Sequence, residues 1–245
     1  SESERFLRDG KYHGWLPTLF MGNLLWRKTL GIIGAGRIGA AYAQMMVEGH
    51  KMNLVYYDPY KNDALENHLD QYNKFLKSQD RAPVSCKRAE TIEELLQEAD
   101  CVSIHTILDD STHHLINAER LALMKSDAII VNTSRGPVID EAALVTHCQN
   151  NPDFKAGLDV FEDEPEMKPG LVNLDNVVIV PHIASATSWT RQGMATLAAA
   201  NVAGILQGYP AWQRPDIMTF LEGDSPKAAP SILNADALGI PTYQD

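Results

Sequence analysis

"TLGIIGAGRIGAAYAQMMVEGHKMNLVYYD", residues 29–58, decides the fold. It opens on an apolar run and passes three glycines, Gly34, Gly36 and Gly39, in the spacing GxGxxG. A helical pattern follows, "RIGAAYAQMMVEG", and then a second apolar run, "NLVYY", that ends at Asp58. A lone GxGxxG says little, because glycine-rich turns are common. Between a strand and a helix, with an acidic residue about 20 positions beyond the third glycine, it marks a dinucleotide-binding βαβ unit. The first glycine permits the tight turn, the second lets the backbone approach a pyrophosphate, and the third lets helix and strand pack closely. The pyrophosphate then rests on the N–H groups at the start of the helix, where Arg37 and Ile38 join the glycines as candidate cofactor contacts. Asp58 is placed to accept hydrogen bonds from both adenine-ribose hydroxyls and to repel a 2′-phosphate, favouring NAD(H) over NADP(H). Lys61 nearby partly offsets that repulsion.

Outward from this unit, residues 29–180 alternate short apolar runs with helical patterns, the signature of a doubly wound parallel sheet covered by helices on both faces. Seven strands are expected, at 29–34, 53–57, 84–86, 101–105, 128–133, 155–160 and 177–180. Thr91 with Glu94 forms a capping box ahead of "TIEELLQEA", and Asp140 is the expected N-cap of "EAALVTHCQ". Residues 59–83 are too long for a simple connection and read as an inserted helix plus loop. A long helix is expected from about Thr187 to Gly208, followed by a Pro- and Gly-containing tail with little periodicity.

The chain has 245 residues, 44% hydrophobic and 22% charged, with a formal net charge of −11. Without a Lys/Arg run, that balance argues against nucleic acid as a partner and for small molecules. Cys86, Cys101 and Cys148 have no metal-ligand spacing, so no metal site is expected. The apolar stretches fall short of the roughly 20 residues that span a bilayer.

Ligands of open parallel sheets sit beyond the carboxyl ends of the strands. Three strand ends carry unusual chemistry here: "NTSRG" after the fifth, "LDVFEDEP" after the sixth and "PHIAS" after the seventh. Arg135 alone reads as a surface ion-pair partner, and His182 alone as a packed histidine. With Glu164 they supply an anion fork, a proton carrier and a carboxylate to bias that carrier. Glu162, Asp163 and Glu166 read as the solvated rim of the same acidic turn.

With these blocks in place, the chain resembles the D-2-hydroxyacid dehydrogenases. "GIIGAGRIG", "VNTSRGPVIDEAAL", "GLDVFEDEP" and "VVIVPHIASAT" stand in that family's order, and "AYAQMMVEGHKMNLVYYDPY", "EPEMKPGL" and "TRQGMATLAAANV" look like its plant-type hydroxypyruvate reductase branch. The resemblance implies NADH-dependent reduction of a small 2-oxoacid, hydroxypyruvate to D-glycerate and glyoxylate to glycolate, in photorespiratory-type metabolism. It assigns Arg135 to the substrate carboxylate and carbonyl, His182 to acid/base work, and Glu164 to the role of its partner. Thr106, Thr133, Asp159 and Ser185 are implied cofactor-side contacts. The chain departs from the common family pattern at "HTIL", which lacks a proline soon after His105, and at "HIASA", which lacks a Gly-Gly after His182. The alternatives are another 2-hydroxyacid specificity or a non-enzymatic NAD(H)-sensing protein of corepressor type.

The resemblance also implies a domain organisation. Residues 1–27 read as a linker and homodimer arm in which Trp15 reaches toward the partner's pocket or simply packs at the interface. Residues 28–208 read as the NAD-binding domain, and residues 209–245 as a segment returning to a substrate domain. Only 28 residues precede Thr29, so the chain is expected to be a fragment largely lacking that domain. It ends Tyr243-Gln244-Asp245 rather than in an S-K-L-type tripeptide, which leaves mitochondrion, peroxisome and cytosol as candidate locations.

Overall fold

A computed structural model describes residues 2–214, 216–222 and 225–244. The chain forms two compact units, Ser1–His182 and Ile183–Asp245.

In the first unit a short helix, α1 (Glu2–Arg8), precedes the sheet. Then come β1 (Thr29–Ile33), α2 (Arg37–His50), β2 (Asn53–Tyr57), α3 (Asp63–Ser78), β3 (Cys86–Arg88) and α4 (Ile92–Glu98). The second half runs through β4 (Cys101–Ile104), α5 (Ala118–Leu121), β5 (Ile129–Asn132), a 3-10 turn (Gly136–Val138), α6 (Glu141–Asn150), β6 (Lys155–Leu158) and β7 (Val177–Ile179). All strand pairs are parallel, in the order β3-β2-β1-β4-β5-β6-β7. This is the doubly wound Rossmann-type sheet expected from the sequence. The order reverses between β1 and β4, and such a switch point opens a crevice beyond the strand ends.

Two apolar layers hold the helices to the sheet. On one side Leu30, Ile32, Leu54 and Tyr56 pack with Ala43, Val47, Leu65 and Leu69 of α2 and α3. On the other, Val55, Val102 and Ile130 pack with Leu95, Leu96, Leu144 and Val145 of α4 and α6. Ile32 is fully buried, and a side chain of that size contributes about 1.5–3 kcal/mol. The caps fall where expected: Thr91 Oγ1 accepts from Glu94 N, and Asp140 Oδ1 accepts from Ala143 N. Glu94 returns a carboxylate oxygen to Glu90 N at 2.8 Å.

One strand differs from expectation. Val84 is buried, which produces the apolar signal at 84–86, but both its backbone groups bond the side chain of Asn73 at 2.9 Å. With those groups taken, ladder pairing starts only at Cys86, opposite Leu54. Several other strands end one or two residues early, at Ile33, Ile104, Asn132, Leu158 and Ile179. The residues released there begin the loops that carry the polar chemistry.

The second unit is α7 (Ser188–Leu206), N-capped by Thr187, with the tail folded against it. Trp212, Phe220 and Ala228 form a small core with Leu197 of α7 and Tyr243. Ala211 bridges both Ala229 and Thr242. Among the described residues, no helix is long and apolar enough to cross a membrane.

Candidate active site

The glycine loop is shaped for close approach. Gly34 has φ +91°, and a Cβ there would lie 2.8 Å from the His105 carbonyl carbon; a Cβ on Gly39 would lie 2.0 Å from Gly34 O. The corresponding space at Gly36 is open. Gly36 is the N-cap of α2 without any side-chain cap, and the first turn carries no acidic residue. The start of α2 is therefore a positive, uncrowded end facing the switch point, and it fits a pyrophosphate.

Side chains from the β2–α3 connection hold this loop. Asp58 Oδ2 accepts the Ala35 N–H at 2.9 Å, and Oδ1 accepts that of Tyr60 at 2.8 Å. Asn62 donates to Ala35 O at 2.7 Å while its Oδ1 caps α3 at Leu65 N. Asp58 thus stands at the loop, as its spacing predicts, and an ionised carboxylate keeps lone pairs for further donors. Asn62 was not predicted from the sequence. Its signal is an Asn three residues before an apolar helical repeat, which reads as a cap but not as a loop clamp. Arg88 adds a cation nearby, donating to Asp58 O and Pro59 O.

Beyond β4 and β5 lies a cleft of about 520 Å³ lined by Ile38, His105, Thr106, Thr133, Ser134 and Arg135, among others. The structure so brings together Ile38, Thr106, Thr133 and Arg135. The buried Asn132, unpredicted as a site residue, shapes this rim. Its Oδ1 accepts from Ser134 N and Oγ, and its Nδ2 donates to Arg135 O at 2.9 Å. The Arg135 side chain is exposed and donates to Ser134 O. His105 bonds Ser103 Oγ at 2.9 Å, and burial holds its pKa below the usual histidine value.

A second cleft, of about 310 Å³, is lined by Phe161, Glu164, Pro165, Pro181 and His182. Arg135 and His182 therefore line separate clefts, but their loops meet: a Cβ on Gly136 would lie 1.8 Å from Phe161 O. His182 Nδ1 is 3.0 Å from Glu164 Oε2. The other Glu164 oxygen accepts the Phe161 N–H at 3.1 Å. The His182 bond and then the Phe161 amide hold the Glu164 carboxyl below the ordinary glutamate range, so it stays ionised. His182 itself adopts φ +52°, a left-handed conformation that costs roughly 1–3 kcal/mol in a non-glycine residue. Its N–H donates to Asp159 O at 2.9 Å and to Val180 O at 3.1 Å, which fixes the turn. Asp159 is buried beneath it. Ser185 is exposed in the second unit.

The acidic turn is not uniformly a solvated rim. Asp163 and Glu166 are exposed, as expected. Glu162 is not: its side chain is only 14% exposed, accepts the Glu141 N–H at 3.0 Å, and lies 3.3 Å from both Lys168 and His114. Burial pushes its carboxyl up, but the Glu141 amide, Lys168 and His114 together hold it below the ordinary range. The reading of Glu162 as rim fails because the start of α6, distant in sequence, covers it. Among the described residues no cluster of His, Cys, Asp or Glu could hold a metal ion.

Comparison with known proteins identifies the family. The family model of the D-isomer specific 2-hydroxyacid dehydrogenase NAD binding domain matches residues 1–184. The chain is 58% identical over 243 residues to peroxisomal glycerate dehydrogenase HPR of Arabidopsis thaliana, covering 98% of the chain and 63% of that relative. It is likewise 58% identical to glycerate dehydrogenase of Cucumis sativus over 97% of the chain and 63% of the relative. Among solved structures, a glyoxylate reductase from Paecilomyes thermophila superposes with a TM-score of 0.69 at 32% identity, covering 83% of this chain and 56% of that one. The chain thus spans 63% of the length of the two plant relatives. A Rossmann-type sheet, a shaped glycine loop and a family match across three quarters of its length establish that the chain belongs to the D-isomer-specific 2-hydroxyacid dehydrogenases and contains their NAD-binding domain.

Proposed function

We propose that the whole protein containing this chain is an NADH-dependent hydroxypyruvate reductase that forms D-glycerate and also reduces glyoxylate to glycolate. The observation that carries this reading is the 3.0 Å pairing of His182 with an ionised Glu164 beside the loop of Arg135. The names of the two plant relatives supply the substrate class.

When bound, NADH supplies the hydride. The α2 N-terminus and the open face of Gly36 would hold its pyrophosphate, with Asp58 toward the adenine ribose and Thr106, Thr133 and Asp159 on the cofactor side. Asp58 favours NADH over NADPH because its charge opposes a 2′-phosphate. Arg135 offers a planar fork of donors to the substrate carboxylate and carbonyl. His182, protonated, hydrogen-bonds the ketone oxygen and gives up its proton as the alcohol forms; neutral, it accepts that proton in the reverse direction. Glu164 bonds the opposite ring nitrogen at 3.0 Å and orients the imidazole. Exposed Trp15, Met21 and Leu24 support a homodimer seated on residues 1–27.

Steady-state assays of the whole protein with hydroxypyruvate, glyoxylate, pyruvate and phosphohydroxypyruvate test the reading. The highest kcat/KM is expected with hydroxypyruvate. A preference for pyruvate or phosphohydroxypyruvate would replace it with another 2-hydroxyacid specificity.

A further inference from the structure

Glu141, the first residue of α6, is 3% exposed and has no obvious business being charged there. Its helix is already capped by Asp140. A buried carboxylate is costly unless its oxygens are bonded. Here both are, and both partners lie in one loop: Oε2 accepts Glu162 N at 2.8 Å, and Oε1 accepts Lys168 N at 2.7 Å. Glu162 returns the bond by accepting Glu141 N at 3.0 Å. One carboxylate thereby grips the acidic turn on both sides of Glu164. Between the two grips the turn is closed by Glu166 N donating to Asp163 O at 2.9 Å and by Lys168 Nζ on Asp163 at 2.6 Å.

We propose that Glu141 is a positioning residue for the proton-transfer pair: by clamping the 162–168 turn to α6, it holds Glu164 at hydrogen-bonding distance from His182. The inference rests on the acid/base reading of His182 given above. It goes further by assigning a role to a buried carboxylate that touches neither clefts nor cofactor loop. The charged and titratable groups facing the clamp are Lys168, His114 and Asp163, and those facing Glu164 are His182 and Asp159.

The test is Glu141→Gln in the whole protein. Glutamine keeps the size but offers one acceptor to two N–H donors, so one side of the turn is released. Loss of alignment should lower kcat roughly 10-fold or more, since misplacement of about 1 Å can cost two orders of magnitude. The dissociation constant for NADH should stay unchanged. The alkaline limb of the reduction profile should move to lower pH, in the same direction as in Glu164→Gln, and the double variant should move no further than Glu164→Gln alone. A Glu141→Gln profile that coincides with wild type, however far its Tm falls, makes the residue a fold element and overturns the proposal. So does a double variant whose shifts add. Should Glu141→Gln fail to fold, Glu162→Ala removes the return bond together with the Lys168 and His114 contacts of the same clamp: a limb displaced the same way supports the clamp, and an unmoved limb overturns it. His182→Ala separates the two levels. An active His182→Ala defeats the acid/base reading beneath; an inactive one beside an unmoved Glu141→Gln defeats only the clamp.

Discussion

His182 Nδ1 and Glu164 Oε2 are 3.0 Å apart although the residues stand on different strand ends, 18 positions apart in the chain. The histidine reaches this position through a left-handed turn, and the carboxylate through a loop whose own backbone N–H, at Phe161, holds its second oxygen. Both ends of the pair are therefore fixed by backbone. That is the arrangement a general acid needs if its ring is to present one nitrogen outward.

Glu164→Gln keeps a hydrogen-bonding group and removes the charge. A carboxylate attracts the protonated imidazole more than the neutral one, so the variant should lose reduction at lower pH than wild type, while D-glycerate oxidation persists further into acid. Full pH profiles in both directions check this, and unmoved limbs would return Glu164 to the status of a surface carboxylate. The same contact has a stability consequence. Because the folded-state pKa of Glu164 is depressed, the contact contributes above the ordinary glutamate value of about 4.3 and is lost as pH falls through the lower folded value.

Gly136→Ala tests how the Arg135 and Glu164 loops meet. The added Cβ would stand 1.8 Å from Phe161 O, backbone against backbone, with no side chain free to yield. Overpacking of this kind costs about 1–3 kcal/mol. Urea unfolding should show that loss, and kcat should fall with it; a variant as stable and active as wild type would mean the two loops move apart freely.

Asp58→Ala removes a negative charge from the cofactor loop together with an acceptor for Ala35 N and Tyr60 N. NADH should bind more weakly. Since like charges in contact cost several kcal/mol, the NADPH/NADH affinity ratio should rise by roughly 10-fold or more. Titration of both cofactors by fluorescence measures it, and an unchanged ratio would take Asp58 out of the selectivity mechanism.

The three thiols should be quiet in the native protein. Burial pushes Cys86, Cys101 and Cys148 each up to about 11, so at pH 8 they are protonated and labelling by iodoacetamide should be slow until denaturant is added. Unfolded thiols release protons near 8.5, so their protonation favours the fold fully below that pH, and the contribution is lost as pH rises toward 11. Fast labelling of Cys101 in native buffer would contradict its burial.

Much of this was legible in the chain itself, for physical reasons that differ from residue to residue. The glycine loop reads clearly because each glycine answers a steric demand that is local: Gly34 and Gly39 are five residues apart and touch each other. The central strands β1, β2 and β4 show as apolar runs because a parallel sheet is buried on both faces there, whereas β3 at the edge is Cys-Lys-Arg and carries no such signal. What stayed hidden depends on contacts between distant segments. Asn73 turns Val84 out of the ladder from eleven residues away, and Glu141 converts Glu162 from an apparent rim residue into a clamped one across 21. Asn132 sat inside a quoted motif, yet its part in ordering Ser134 and Arg135 needs its two side-chain ends to be seen at once.

In the proposed reaction His182 carries the proton in reduction of a 2-oxoacid. The most direct measurement is hydroxypyruvate reduction by the whole protein and its His182→Ala variant, following NADH oxidation and the chirality of the glycerate across the pH range. Wild type should form D-glycerate stoichiometrically, and the variant should bind NADH normally but turn over roughly 100-fold or more slowly at every pH. A variant within a few-fold of wild-type kcat would contradict it.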